Sequence, residues 1–258
     1  MEGEQVEKSN IVVVMPAYNA AHTLEKTYQD LPLDLISEII LVDDSSKDET
    51  VPIAKKLGMA VFRHNHKFGY GANQKTCYTE ALKTHGTIVV MVHPDYQYDP
   101  KLLPSLIQPI MENKADVVLG SRMMGVSAYS QGMPMWKYIA NILLTKLENI
   151  VFNLNLSEYH TGYRAYNRKV LENINFRSNS DDFIFDQEII AQIVEARLKI
   201  IEVPVPVRYF PEASSANLWQ STKYGLGILI LLIHYLLHKT KIRHYSKFDS
   251  LALRYEKV

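Results

Sequence analysis

The chain reads as an α/β protein with a Rossmann-like, mostly parallel central sheet flanked by helices. Three observations predict this. Apolar β-type runs alternate with helix-length segments through the first half of the chain. The first run, Ile11-Val12-Val13-Val14-Met15, is continuous and β-branched, as a strand buried on both faces of a parallel sheet requires. Two runs end abruptly in acids, at Val42-Asp43-Asp44 and at Val92-His93-Pro94-Asp95. Ligands of open α/β sheets sit outside the carboxyl ends of the strands, so both acid clusters should meet one crevice.

The elements follow in order. Pro16 ends the first strand, and a helix spans residues 21–30. Residues 39–42 form the second strand; Asp48-Glu49-Thr50 opens a helix that stops at Gly58. Residues 59–63 are a short third strand, and Gly69-Tyr70-Gly71-Ala72-Asn73 begins a helix running to Lys83. Residues 88–92 form the fourth strand, 100–113 a helix, and 116–119 a fifth strand delivering Gly120-Ser121-Arg122. The character changes after Gly125. A loop rich in Gly, Ser and Met precedes a helix over 136–154, with Ile139, Leu143, Leu147, Ile150 and Leu154 on one face. The stretch from Tyr159 to Arg164 reads as a polar turn, and Phe185 starts another helix. Residues 200–207 form a strand that Pro204 and Pro206 mark as an edge.

Composition narrows the function classes. The 28 basic and 28 acidic side chains cancel, which leaves no global field for nucleic acid. A single cysteine, Cys77, excludes an intramolecular disulfide and fits a reducing, cytoplasmic setting. The polar start of the chain has no apolar h-region. The two acid clusters divide labour in a way that suits a nucleotide-diphosphate ligand. One accepts hydrogen bonds from a base or ribose, and the other holds a divalent cation against phosphates. Two adjacent acids at Asp43-Asp44 exceed what capping the next helix needs.

In this order, the motifs resemble those of family-two glycosyltransferases of the GT-A fold, close to the polyprenyl-phosphate (dolichyl-phosphate) mannosyl- and glucosyltransferases. The resemblance rests on Pro16-Ala17-Tyr18-Asn19, Val42-Asp43-Asp44-Ser45-Ser46, His93-Pro94-Asp95-Tyr96-Gln97, Gly120-Ser121-Arg122, Thr161-Gly162-Tyr163-Arg164 and Phe185-Asp186-Gln187-Glu188. It implies a GT-A domain over residues 10–212, after a tail at 1–9 and before a C-terminal helical extension at 213–258. It also implies an inverting, metal-dependent hexosyltransferase. Pro16 to Asn19, Asp43, Asp44 and Asp95 would bind the nucleotide, with Lys67 and Gly71 near the ribose and phosphates. His93, Asp95 and Gln97 would hold Mn²⁺ or Mg²⁺. His93 departs from the family's usual aspartate. Imidazole is better tolerated by Mn²⁺ and softer ions than by Mg²⁺, so the change would either shift the metal preference or leave His93 only to orient Asp95. Arg122 and Arg164 would stabilise the departing phosphate bidentately, with Arg208 a third candidate. Asp186 would face the acceptor.

The acceptor expected from the resemblance is a polyprenyl phosphate at the inner face of the membrane. An anionic phosphate attacks directly, without the base that a hydroxyl acceptor would want. A saccharide or other hydroxyl acceptor is the alternative, and a catalytically weak sugar-nucleotide-binding protein a further one. A nucleotidyltransferase is disfavoured, since Pro16-Ala17-Tyr18-Asn19 stands where that class carries a Gly- and Arg/Lys-rich loop. The apolar run at 225–238, followed by Lys239, Lys241 and Arg243, has 14 residues, short of the roughly 20 needed to span a bilayer. It reads as an interfacial helix on a membrane surface, a homodimer contact or a core-packing helix.

Overall fold

The computed structural model describes residues 10–125, 128–208 and 218–249. The expected tail at 1–9 lies outside them. The strands are β1 (Ile11–Ala17), β2 (Ile36–Asp43), β3 (Ala60–Arg63), β4 (Ile88–Met91), β5 (Val117–Ser121), β6 (Arg164–Asn167) and β7 (Ile200–Pro204). They form one sheet in the order β3-β2-β1-β4-β6-β5-β7. All pairings are parallel except those of β6, which runs antiparallel to both β4 and β5.

The helices are α1 (Ala21–Gln29), α2 (Thr50–Lys56), α3 (Tyr70–Ala81), α4 (Leu103–Met111), α5 (Met135–Phe152), α6 (Arg168–Asn173), α7 (Phe185–Glu195) and α8 (Leu218–Lys239). They cover both faces of the sheet. Because side chains alternate along a strand, Val13 and Met15 of β1 join a layer with Leu24, Ala54, Leu103 and Ile107. Val12 and Val14 join the opposite layer with Tyr78, Phe152, Phe185, Ile189 and Tyr235. The continuous apolar reading of β1 therefore matches a strand buried on both sides.

Three differences from the sequence reading have physical causes. The polar turn ends in β6, whose Arg164 is tolerated at 1 % exposure because backbone carbonyls and a carboxylate surround it. The following helix α6 starts where the Asn167 side chain accepts from the Lys169 amide. The apolar run at 225–238 is part of a 22-residue helix, α8, in which Gln220 to Lys223 form a polar stretch ahead of it. Ile228, Leu231, Leu232 and Tyr235 of α8 are buried in the core, while Leu226, Leu229, Ile230 and Ile233 are exposed. Among the described residues no helix is long and apolar enough to cross a membrane.

Strand register places the site. Ala17 pairs with Asp43, Val14 pairs with Met91, and the Val92 amide donates to the Val14 carbonyl. The carboxyl ends of β1, β2 and β4 thus finish at one edge.

Candidate active site

Two cavities open at that edge. One, of about 400 Å³, is lined by the loop after β1 (Pro16 to Asn19), Asp44, Lys67, Gly69 and Asn73. The other, of about 210 Å³, is lined by Gln97, Tyr98, His160, Gly162, Asp186 and Tyr224. Tyr70, His93, Asp95, Phe183 and Gln220 line both, so they form the divide between two lobes of one site.

The first lobe is tied together by backbone-to-side-chain bonds. The Asn19 amide donates to Ser46 Oγ at 2.8 Å, and the Lys47 amide donates to Asn19 Oδ1 at 3.0 Å. Asn19 takes a left-handed φ of 52°, a conformation Asn tolerates better than most residues. Asp44 holds the next loop closed. Its carboxylate accepts from the Phe68 amide, the Gly69 amide and His64 Nδ1, at 2.9, 2.9 and 2.8 Å. Asp43 lies behind the lobe, fully buried. Its Oδ2 accepts from the Ser46 amide, and its Oδ1 has no hydrogen-bond partner. Lys67 sits 3.5 Å above the Tyr18 ring, and both border the lobe.

Gly71 is explained by packing. A Cβ there would stand 2.4 Å from the Ser180 carbonyl oxygen and 2.8 Å from Phe185 Cβ, so only glycine lets α3 approach the segment before α7. Gly71 lines neither lobe.

At the divide, the Gln97 amide donates to Asp95 Oδ1 at 3.1 Å, and Tyr96 between them has φ 59°. The His93 ring stacks on Tyr70 at 5.7 Å between centroids. A Cβ on Gly162 would lie 2.6 Å from His93 Cδ2, so this glycine makes room for the imidazole. Burial pushes His93 below its ordinary pKa, against the opposing pull of Asp95 and Asp186. The neutral imidazole is the form that ligates metals. A ring nitrogen, a carboxylate and an amide oxygen on alternate residues suit Mn²⁺. Among the described residues no three His, Cys, Asp or Glu side chains are grouped to hold an ion. The protein's share would therefore be this mixed set.

Asp186 lies in the first turn of α7 and does not cap it, since the N-cap is Ile184. Its carboxylate accepts from the Tyr70 hydroxyl at 2.8 Å and from Gln74 Nε2 at 3.0 Å, with Arg164 Nη1 3.6 Å away. Tyr70 and Gln74 were not singled out in the sequence. Their spacing of four on α3 puts them on one helical face, which is the signal that could have found them. Burial and the neighbouring Asp186 raise the Tyr70 hydroxyl well above its ordinary range, so it stays a donor.

The three arginines are each engaged by protein groups. Arg164 donates to the carbonyls of Thr161, Tyr159 and Asp186. Arg122 grips the buried Glu158 through its backbone amide at 2.7 Å and Nε at 2.9 Å, and its Nη2 donates to the His160 carbonyl. Burial alone would raise the Glu158 carboxyl, but Arg122 outweighs it and holds the group below its ordinary value. Arg208 pairs with Asp99 at 2.6 Å and covers the Tyr96 ring. None of the three borders either lobe.

Comparison with known proteins identifies the family and the fold. The model of glycosyl transferase family 2 matches residues 12–174. The uncharacterized protein MJ1222 of Methanocaldococcus jannaschii is 30 % identical, over 89 % of this chain and 93 % of its own. A UDP-N-acetylglucosamine–dolichyl-phosphate N-acetylglucosaminyltransferase of Methanococcus voltae is 24 % identical, over 86 % of this chain and 95 % of its own. Among solved structures, glucosyl-3-phosphoglycerate synthase of Mycobacterium tuberculosis with Mn²⁺, UDP-glucose and phosphoglyceric acid superposes with a TM-score of 0.68. It is 19 % identical and covers 88 % of this chain and 79 % of its own. The chain belongs to glycosyl transferase family 2, and its fold is GT-A.

Proposed function

From this membership we propose an inverting transfer of a sugar from a nucleotide-diphospho-sugar to a polyprenyl phosphate. One observation carries the acceptor reading. Helix α8 lines the second lobe with Gln220, Ser221 and Tyr224, and further along it presents exposed Leu226, Leu229, Ile230 and Ile233. Helix α5 packs beside it, with Leu144 against Gly225 and Phe152 against Tyr235, and exposes Ile139, Leu143, Leu147 and Ile150. An acceptor with a polar head in the lobe and an apolar tail along these faces fits that continuity. The name of the Methanococcus voltae relative points the same way.

In this reading the first lobe takes the nucleotide, with Asp44, Lys67 and the loop from Pro16 to Asn19 around it. The sugar C1 would lie near the divide. An acceptor phosphate oxygen attacks C1 as the bond to the diphosphate oxygen breaks, and the configuration inverts. The attacking oxygen is already anionic, so no proton must be removed. His93, Asp95 and Gln97 would hold a divalent cation, Mn²⁺ in preference to Mg²⁺, which supplies charge for the departing diphosphate. Asp186, fixed by Tyr70 and Gln74, keeps the acceptor lobe polar and would orient the sugar hydroxyls.

The domain division is part of the proposal. Residues 10–212 carry catalysis, and 213–258 join lobe to membrane surface. There Lys239, Lys241 and Arg243 would meet anionic headgroups at about 1 kcal/mol each. Attachment would be peripheral, at the cytoplasmic face. A specific observation favours a second reading. Asp186 accepts from two neutral donors and faces the lobe, as a general base for a hydroxyl acceptor would.

Two experiments test the proposal. A thermal-shift panel of UDP- and GDP-sugars with Mn²⁺ or Mg²⁺ should show stabilisation by one nucleotide class with Mn²⁺. Co-sedimentation with anionic vesicles at low salt should capture the protein. No binding to vesicles, together with transfer to a water-soluble hydroxyl acceptor, replaces the lipid reading by the second one.

A further inference from the structure

The turn that carries the candidate metal ligands is propped from outside the site. Asp95 and Gln97 border the second lobe, whereas Tyr96 between them borders neither lobe. Its backbone sits in the left-handed region at φ 59°, which a residue other than glycine keeps only where its surroundings hold it. The Tyr96 hydroxyl donates to Asp30 Oδ2, at the end of α1. That hydroxyl and Lys101 together keep the Asp30 carboxyl below the usual carboxylate range, so it stays an ionised acceptor. Lys26 Nζ, one turn earlier on α1, lies 4.4 Å from the Tyr96 ring centroid, and Arg208 Cζ lies 4.6 Å from it. Two cations on one ring exceed what packing asks of an aromatic side chain. Arg208 also fastens the turn through its backbone amide, which donates to the Gln97 carbonyl at 2.8 Å. The Thr27 hydroxyl of α1 donates to the Pro94 carbonyl at 3.3 Å.

We propose that Tyr96 is a positioning residue for the divalent cation, and that Asp30, Lys26 and Arg208 grip its ring to hold the left-handed turn. In that turn the Gln97 amide reaches back to Asp95 Oδ1 at 3.1 Å while both side chains border the lobe. Without the grip, residue 96 relaxes toward ordinary φ and the Asp95–Gln97 spacing goes with it. This role rests on the metal reading above, and Tyr96 itself touches neither lobe. It also gives α1 a second task. The helix starts just after the Pro16 to Asn19 loop of the first lobe and ends against the metal turn, so one rigid element sets both.

Mn²⁺ binding to the purified full-length protein, with UDP or GDP present and free Mn²⁺ read by EPR, tests this without turnover. Tyr96→Leu keeps bulk but has no π face. It should weaken Mn²⁺ binding about ten-fold, the scale on which residues other than glycine avoid the left-handed region. Tyr96→Gly removes more atoms but adopts this φ freely, so it should lose less than Tyr96→Leu. A side chain that mattered only for packing would give the opposite order. Tyr96→Phe and the surface change Lys26→Met leave packing almost intact. Each should weaken binding about three-fold, which decides the matter even if the other two variants fail to fold. Charge alone would make Lys26→Met bind Mn²⁺ more tightly, so weakening there is specific to the grip. Nucleotide affinity without metal should stay within about two-fold in every variant, because Tyr96 shares no contact with the first lobe. Unchanged or tighter Mn²⁺ binding in Tyr96→Phe or Lys26→Met, Tyr96→Gly weaker than Tyr96→Leu, or an equal loss of metal-free nucleotide affinity overturns the inference while the metal reading stands. If wild type binds no Mn²⁺ with either nucleotide, the metal reading falls and the inference with it.

Discussion

Gly162→Ala probes the divide between the lobes without touching a polar group. A Cβ at this position would lie 2.6 Å from His93 Cδ2 and 2.7 Å from Nε2. Ordinary contact begins near 3.4 Å, so the imidazole would have to retreat by 3.4 − 2.6, about 0.8 Å. It has little room, because the Tyr70 ring stacks on it and the Tyr70 hydroxyl is 3.4 Å from Nε2. Overpacking of this kind costs about 1–3 kcal/mol. Urea melts should therefore show that loss in Gly162→Ala. In a His93→Ala background the same change should be nearly free, giving a coupling energy of about 1–3 kcal/mol in a double-mutant cycle. Turnover of Gly162→Ala should fall by more than its stability loss implies, since the displaced ring is the candidate metal ligand. Equal costs in the two backgrounds would refute the reasoning, because the glycine would then serve its own backbone and not the histidine.

Asp95→Ala should abolish turnover with the melting curve little changed, whereas His93→Asp should keep activity and shift its metal preference toward Mg²⁺. Near-normal kcat for Asp95→Ala with metal present would remove the metal assignment. Asp44→Ala should weaken binding of the nucleoside diphosphate by calorimetry. It should also destabilise the fold by about 1–3 kcal/mol, because the amides of Phe68 and Gly69 lose their acceptor; an unchanged affinity would take Asp44 out of the donor lobe. Arg122→Met should cost about 3–5 kcal/mol at neutral pH, since it strands the buried Glu158. The wild-type carboxyl titrates below its usual 4.5, so the pair's stabilisation is full above that value and fades as pH falls through the lowered one. Denaturant melts at a series of pH values should show the variant's deficit shrinking on the acid side. A deficit independent of pH would contradict the pairing.

The fold was legible wherever one physical demand dominated a segment. β1 and β4 are buried on both faces, and their unbroken apolar runs say so. β6 was not legible, because Arg-Ala-Tyr-Asn carries its polarity inward: Arg164 is satisfied by carbonyls that only the folded chain supplies. The site divides the same way. That Asp44, His93, Asp95 and Asp186 share one edge follows from strand ends and motif order. The arginine placements do not, because Arg122 finds Glu158 across 36 positions and Arg164 finds Asp186 across 22. Gly71 was expected near the ribose and phosphates, and its close contacts are protein atoms. The same blindness to long-range pairing hid the contacts of Tyr70 and Gln74 with Asp186.

Transfer itself, followed to the anomeric configuration of the product, tests the central claim most directly. The full chain would be incubated with a nucleotide-diphospho-sugar of known anomeric configuration, Mn²⁺ and a polyprenyl phosphate, and the product read by proton and phosphorus NMR. The account predicts a sugar phosphodiester of inverted configuration, formed without any hydroxyl acceptor. A product of retained configuration, or transfer only to a hydroxyl acceptor, would contradict it.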